Sequence, residues 1–223
     1  MPMPSESNLP ATPLPGKKIR VIFGGSFDPV HVGHTAMLRA AIASVQAVAA
    51  IVLPAYQSPH KAHHPSADAR HRLAMLKLAF AGMPEVEISE LEIRAAHAVY
   101  TFDSIQILRA AYPDDHLALL IGMDQLRALH RWYRAADVLK AVRLLVMPRI
   151  SSVDDSEFWR ELAPHWPGQS LQIFRAAILA APAITVSSTD IRRRVANGQS
   201  IAGLVQPYVE RYIFTHRLYR AGP

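Results

Sequence analysis

Between Ile19 and Pro148 the chain repeats one pattern: a short run of apolar, often branched residues, a loop, then a stretch with helical spacing. IRVIFGG (19–25), AAIVLPA (49–55), LALLIG (117–122) and VRLLVMP (142–148) are such runs. Their continuous apolar character marks strands covered on both faces, since a strand with one wet face would alternate. TAMLRAAIASVQAV (35–48), DARHRLAMLKLAFAGMP (68–84), TFDSIQILRAAYP (101–113) and AADVLKA (135–141) are spaced as helices, with Gly82 and Pro84 supplying a stop. Strands alternating with helices at this rhythm predict an α/β fold, a doubly wound parallel sheet with helices on both faces. VEISELEI (86–93) alternates and predicts a further short strand, and SEFWRELAPHW (156–166) one helix. The Ala-rich stretch after it is ambiguous. STDIRRRVANGQSIAGLVQPYVERYIFTHRLY predicts two helices around Asn197–Gly198, a small C-terminal helical part.

The 223 residues suit one domain, expected over 18–223, and residues 1–17, with five prolines and few large apolar groups, predict a disordered tail. Cysteine is absent, which excludes disulfide scaffolds, thiolate metal sites and cysteine nucleophiles. The longest apolar stretch, Ala40 to Ala55, holds Ser44, Gln46 and Pro54 and falls short of the roughly 20 residues of a membrane span. The N-terminus shows no secretory signal pattern, so a cytoplasmic address and no membrane partner are expected. A net charge of +6 favours anionic partners without choosing among them.

Gly24-Gly25-Ser26-Phe27-Asp28-Pro29-Val30-His31-Val32-Gly33-His34 follows the first strand directly. Glycines there allow a phosphate close to the backbone, and the helix that follows offers unpaired N–H groups. The spacing is not that of the dinucleotide fingerprint G-x-G-x-x-G. Instead His31 and His34 stand three residues apart where the helix begins, so both can face one anion. The alternative is local capping and packing by the two rings. Gly25, Phe27, Asp28, Pro29, His31, Gly33 and His34 agree with one pattern; at about 5% usage each, chance agreement is on the order of one in 10⁹ per starting point.

That pattern resembles the G-x-F-D-P-x-H-x-G-H signature of the nucleotidyltransferase superfamily related to class I tRNA synthetases. The resemblance implies a Rossmann-like fold and transfer of a nucleotidyl group to a phosphate-bearing acceptor. It places His31 and His34 on the triphosphate, where charge on the α-phosphate must be stabilised, and Gly24, Gly25, Ser26 and Phe27 around it. Such chemistry needs positioning and charge neutralisation rather than a side-chain nucleophile. Mg²⁺ is implied as the companion of ATP.

Far downstream, Val186-Ser187-Ser188-Thr189-Asp190-Ile191-Arg192 opens a helix. Ser187 with Asp190 forms a capping box, which by itself is no more than a well-started helix. The segment also resembles the S-S-T-x-x-R signature that grips the β- and γ-phosphates in the same superfamily, which implies ATP contacts from Ser187, Ser188, Thr189 and Arg192. Arg193 and Arg194 are expected in solvent.

Ser58-Pro59-His60-Lys61, Tyr100-Thr101, Gly122-Met123-Asp124 and Trp132 resemble the bacterial nicotinate-nucleotide adenylyltransferases, which join ATP and nicotinate mononucleotide. By that resemblance Gly122 and Asp124 hold the ATP ribose, and Lys61 with His60 meets phosphate or the acceptor. Tyr100 and Thr101 bind the nicotinate end, and Trp132 stacks on the pyridine ring. Two departures stand out: Val99 occupies the place of a serine common in the family, and Ile150 follows Arg149 where a glycine is usual. His60, His63 and His64 lack carboxylates at ligand spacing and read as solvated, so no protein-held metal is expected. Nicotinamide mononucleotide and phosphopantetheine remain alternative acceptors. A nucleic-acid-binding module built on IRRRV would leave the glycine turn unexplained, and no nucleic-acid partner is expected. Self-association is left open.

Overall fold

A computed structural model describes residues 18–57, 66–148, 156–181 and 185–220. The expected tail, His60, Lys61, His63, His64, Arg149 and Ile150 lie outside the described residues. Five strands, β1 (Lys18–Gly25), β2 (Ala49–Pro54), β3 (Val86–Ile88), β4 (Asp115–Gly122) and β5 (Arg143–Met147), form one sheet in the order β3-β2-β1-β4-β5. The order runs both ways from β1, the doubly wound arrangement in which ligands bind beyond the carboxyl ends of the strands. The fold is therefore α/β and Rossmann-like, as the alternation predicts.

The chain divides into two compact units. One comprises the described residues of Phe23–Arg39, Ala49–Val99 and Ile184–Pro223. Here β2 and β3 pair in parallel, Ala50 opposite Val86 and Val52 opposite Ile88. Every residue from Ala50 to Leu53 is buried, which is why that run carries no alternation. Helix α2 (Ala69–Phe80) starts at Asp68, whose carboxylate accepts the Arg70 N–H at 3.0 Å, and buries Met75, Leu76 and Phe80. It stops as predicted, before Gly82 and Pro84. Helices α9 (Ser188–Ala196) and α10 (Pro207–Thr215) flank the Asn197–Gly198 break, where Gly198 takes φ +67°, a left-handed conformation costly for residues with a Cβ. The first helix, α1 (Val32–Val45), begins in this unit immediately after His31.

VEISELEI does not make one strand. The ladder ends where Ser89 N–H donates to the Val52 carbonyl, and Leu91–Arg94 closes one helical turn, α3. The Ser89 hydroxyl accepts the Leu91 N–H and Arg94 pairs with Glu90 four residues back, local bonds that outcompete the period-two pattern.

The other unit comprises the described residues of Met1–Ile22, Ala40–Val48 and Tyr100–Ala183. β4 and β5 pair in parallel from Ala118–Arg143 to Gly122–Met147, with Leu117 to Ile121 and Leu144 to Met147 buried. Helices α4 (Thr101–Ala111), α5 (Met123–Ala128) and α6 (Ala135–Ala141) surround that pair in sequence. The segment expected as one helix over 156–166 is α7 (Ser156–Leu162) followed by a 3₁₀ turn, Ala163–His165, where Pro164 lacks the N–H that α-helical continuation requires. The ambiguous stretch resolves into α8 (Gly168–Ala176) and a short extension in which Val146 exchanges backbone bonds with Ala177 and Leu179. No helix among the described residues is long and apolar enough to cross a membrane.

Candidate active site

The glycine turn leaves the carboxyl end of β1 and folds back on itself. Phe27, at φ 47°, lays its ring against Gly25, where a Cβ would stand 3.0 Å from the ring. A side chain at Gly25 would crowd that buried ring, whereas a Cβ on Gly24 would meet nothing within 4 Å. The Phe27 ring meets His34 edge-on at 5.0 Å, and His34 stacks on His31 with centroids 3.7 Å apart. His31 is 5% exposed and its Nδ1 is buried without a hydrogen-bond partner. Burial pushes its pKa from 6.5 down to about 4, so the imidazole is neutral at pH 7.

His34 caps the turn. The His31 N–H donates to His34 Nδ1 at 3.2 Å, and the His34 N–H donates to the His31 carbonyl at 2.9 Å. An Nδ1 that accepts from the backbone leaves the ring proton on Nε2, so the neutral ring presents an N–H donor from that side. Capping and anion recognition are therefore not competing readings: the cap fixes which nitrogen donates.

The second motif reaches the first through Asp28 and Pro29. Ser188 Oγ donates to the Pro29 carbonyl at 2.9 Å, and Arg192 Nη1 donates to the Asp28 carbonyl at 2.6 Å. Ser187 is the N-cap of α9, its hydroxyl accepting the Asp190 N–H at 3.1 Å. The Asp190 carboxylate does not complete the box; it pairs with Arg193 and Arg194. Thr189 Oγ1 lies 3.4 Å from Arg192 Nη2. Of three consecutive arginines, Arg192 alone bonds to the first motif among the described residues.

Asp28 holds this junction together, a role that the motif alone does not announce. Its buried carboxylate accepts from Ser66 N–H at 2.7 Å, Ala67 N–H at 3.0 Å and the Tyr219 hydroxyl at 2.8 Å. Arg72, 1% exposed, donates to the carbonyls of Ser26, Ala55, Tyr56 and Ala67, tying the turn to α2 and the end of β2. Burial draws its pKa down while Asp28 opposes the shift. Arg72 had a detectable signal: an arginine amid the apolar spacing of RHRLAMLKLA. Tyr219 had none.

In the other unit, Gly122 ends β4 as the N-cap of α5, its N–H donating to Gln125 Oε1 at 3.0 Å, and Asp124 stands exposed in the first turn. Tyr100 is the N-cap of α4 and Thr101 its first residue. Trp132, half-buried, closes the 3₁₀ turn Leu129–Arg131. Its neighbour Tyr133 packs on Tyr100 at 4.8 Å, so the structure brings Tyr100 and Thr101 to the tryptophan turn.

A β1 turn bearing paired imidazoles, joined to the N-terminal turns of a helix that carries an arginine, is an arrangement with the donors to hold an anion in an α/β protein. Residues 22–194 match the cytidylyltransferase-like family model. A probable nicotinate-nucleotide adenylyltransferase of Synechococcus sp. (strain JA-3-3Ab) is 39% identical over 207 residues, 93% of this chain and 97% of the relative. One of the same description from Neisseria meningitidis serogroup B is 39% identical over 199 residues, 89% and 96% of the two chains. Plasmodium falciparum nicotinic acid mononucleotide adenylyltransferase, solved in complex with NaAD, shares the fold with a TM-score of 0.71 at 17% identity, covering 91% of this chain and 97% of that one. The chain belongs to the cytidylyltransferase-like family and, within it, to the nicotinate-nucleotide adenylyltransferases.

Proposed function

We propose that this enzyme transfers the adenylyl group of ATP to nicotinate mononucleotide, giving nicotinate adenine dinucleotide and pyrophosphate, a step of NAD biosynthesis. An oxygen of the acceptor's phosphate attacks the α-phosphorus of ATP; the bond to the bridging oxygen breaks and its electrons leave with pyrophosphate. The acceptor oxygen is already anionic near neutral pH, so the protein's task is alignment and charge stabilisation.

The observation that carries the reading is the bond from Arg192 to the Asp28 carbonyl, which joins a cation of the second motif to the turn that bears the paired imidazoles. His34 Nε2–H donates to phosphate oxygens as charge builds, and His31, stacked on it and neutral, meets the same triphosphate through the one N–H that a neutral ring keeps. Arg192 takes the β- and γ-phosphates in this reading, with Gly24, Gly25, Ser26, Phe27, Ser188 and Thr189 shaping the cradle. Gly122 and Asp124 hold the ribose, Lys61 and His60 meet phosphate or acceptor, and Tyr100, Thr101 and Trp132 take the nicotinate ring. Ser187 acts through its cap on α9.

Mg²⁺ fits as part of the ATP complex. Among the described residues no three His, Cys, Asp or Glu side chains group to hold a cation, and the buried Asp28 carboxylate at the junction is taken up by Ser66 N–H, Ala67 N–H and the Tyr219 hydroxyl. Mg²⁺ keeps waters and binds substrate phosphates readily, and there it would neutralise charge on the departing pyrophosphate. Residues 18–223 acting as one nucleotidyltransferase domain, and a cytoplasmic place, belong to the same reading.

The test is pyrophosphate release from purified protein with ATP, Mg²⁺ and each acceptor separately: nicotinate mononucleotide, nicotinamide mononucleotide and phosphopantetheine. The expected result is one pyrophosphate per nicotinate dinucleotide formed. Turnover confined to another acceptor, or none with any, overturns it.

A further inference from the structure

We propose that Tyr219 is a positioning residue for ATP binding: its phenol occupies the Asp28 carboxylate and so leaves the Arg192 guanidinium available to a phosphate. The inference rests on the proposed role of Arg192 and deepens it. Arg192 Nη1 sits 2.6 Å from the Asp28 carbonyl but 3.8 Å from Asp28 Oδ2. A buried carboxylate so near a guanidinium would ordinarily draw it into a closer, two-pronged ion pair. At Asp28 the carboxylate is instead taken up by Ser66 N–H on Oδ2 and by Ala67 N–H and the Tyr219 hydroxyl on Oδ1, and the Arg72 charge acts on it as well. The two amides come from the backbone and stay whatever the side chains do. Tyr219 alone among the three donors can be removed by substitution.

The chain goes to some cost to place that phenol. After α10 it folds back with two non-glycine residues in the left-handed region, Arg217 at φ 53° and Tyr219 at φ 62°. Both are strained backbone conformations, which persist where the surroundings hold them in place. Burial first, then Asp28, hold the phenol proton well above its ordinary pKa, so the hydroxyl donates at every physiological pH.

Tyr219→Phe keeps the ring and removes the donor. Calorimetric titration of the full chain with Mg²⁺ and an ATP analogue bridged by methylene between the α- and β-phosphates reads the effect without any acceptor. The expected result is about tenfold weaker binding in Tyr219→Phe, the scale of removing one charge-assisted hydrogen bond. In an Arg192→Gln background the same substitution is expected to change affinity less than twofold, because no guanidinium is left to trap. Equal losses in both backgrounds mark a merely structural role and overturn the proposal, as does unchanged binding in Tyr219→Phe. A second pair covers the case of a misfolded single variant. Asp28→Asn/Tyr219→Phe, which has no carboxylate to trap the arginine, is expected to bind within threefold of Asp28→Asn alone, and a tenfold further loss overturns the proposal. Analogue binding in the wild type without turnover of any acceptor would sink the proposed reaction and leave this comparison standing.

Discussion

Two histidine pairs stack in this protein with nearly the same geometry, and only one of them belongs to the candidate site. His31 and His34 lie 3.7 Å apart at 26°, His130 and His165 3.8 Å apart at 4°. The second pair joins two 3₁₀ turns at the surface, with His165 exposed. Its hydrogen bonds are satisfied locally: His130 Nδ1–H donates to the Arg127 carbonyl and Arg131 Nε donates to His130 Nε2. The first pair has a buried ring, an imidazole nitrogen with no partner, and a tautomer fixed by the turn's own backbone. It also has a cation delivered from 164 residues away to the carbonyl of Asp28. Ring stacking alone therefore says little about function; desolvation, an unsatisfied atom and convergence of distant chain do.

The sharpest way to break this contrast is substitution in both pairs. His34→Ala is expected to lower kcat by about 10²-fold or more, the scale of losing one preorganised donor to a developing charge. His130→Ala is expected to stay within about twofold, since a solvated surface contact carries little. Steady-state pyrophosphate release measures both.

The next effect is on stability. An unfolded histidine titrates near 6.5 and folded His31 at about 4. Between those values the unfolded chain binds more protons, so the unfolding free energy falls as pH drops from 6.5 towards 4. The full gap is worth about 3 kcal/mol. Urea unfolding at pH 7 and pH 4.5 should show much of this loss in the wild type and a flatter profile in His31→Gln, whereas His130→Gln should leave the wild-type profile nearly unchanged.

Arg192→Ala is expected to cut kcat/KM for ATP by about 10-fold to 10²-fold, as for other charge-assisted bonds, and Arg193→Ala, already paired with Asp190, by less than twofold. The smallest effect falls at the acceptor end. Trp132→Ala is expected to raise KM for nicotinate mononucleotide about 3- to 30-fold with kcat little changed, the range of one aromatic contact with a cationic ring.

The sheet was legible because four of its strands are continuous apolar runs, a pattern that follows from burial on both faces. The failures were local. VEISELEI alternates like a strand, but the Ser89 hydroxyl and the Glu90–Arg94 pair close a helical turn that periodicity does not register. Likewise Pro164 divides a segment with helical spacing. At the candidate site, both motifs stood out by their residue types. What joins them did not: the bonds run from side chains to carbonyls of Asp28 and Pro29, and backbone oxygens leave no trace in a sequence. Tyr219 was invisible for a related reason, because its place at Asp28 depends on a fold-back after α10 set by two left-handed residues that are not glycine.

In the proposed reaction buried His31, half-buried His34 and Arg192 grip one phosphate chain. Nitrogen NMR of the full chain with labelled histidine, titrated with ATP and Mg²⁺, tests it most directly. The ring signals of His31 and His34 are expected to shift saturably, Arg192→Ala to weaken the titration, and His130 and His165 to stay still. Shifts at His130 and His165 with His31 and His34 unmoved would contradict it.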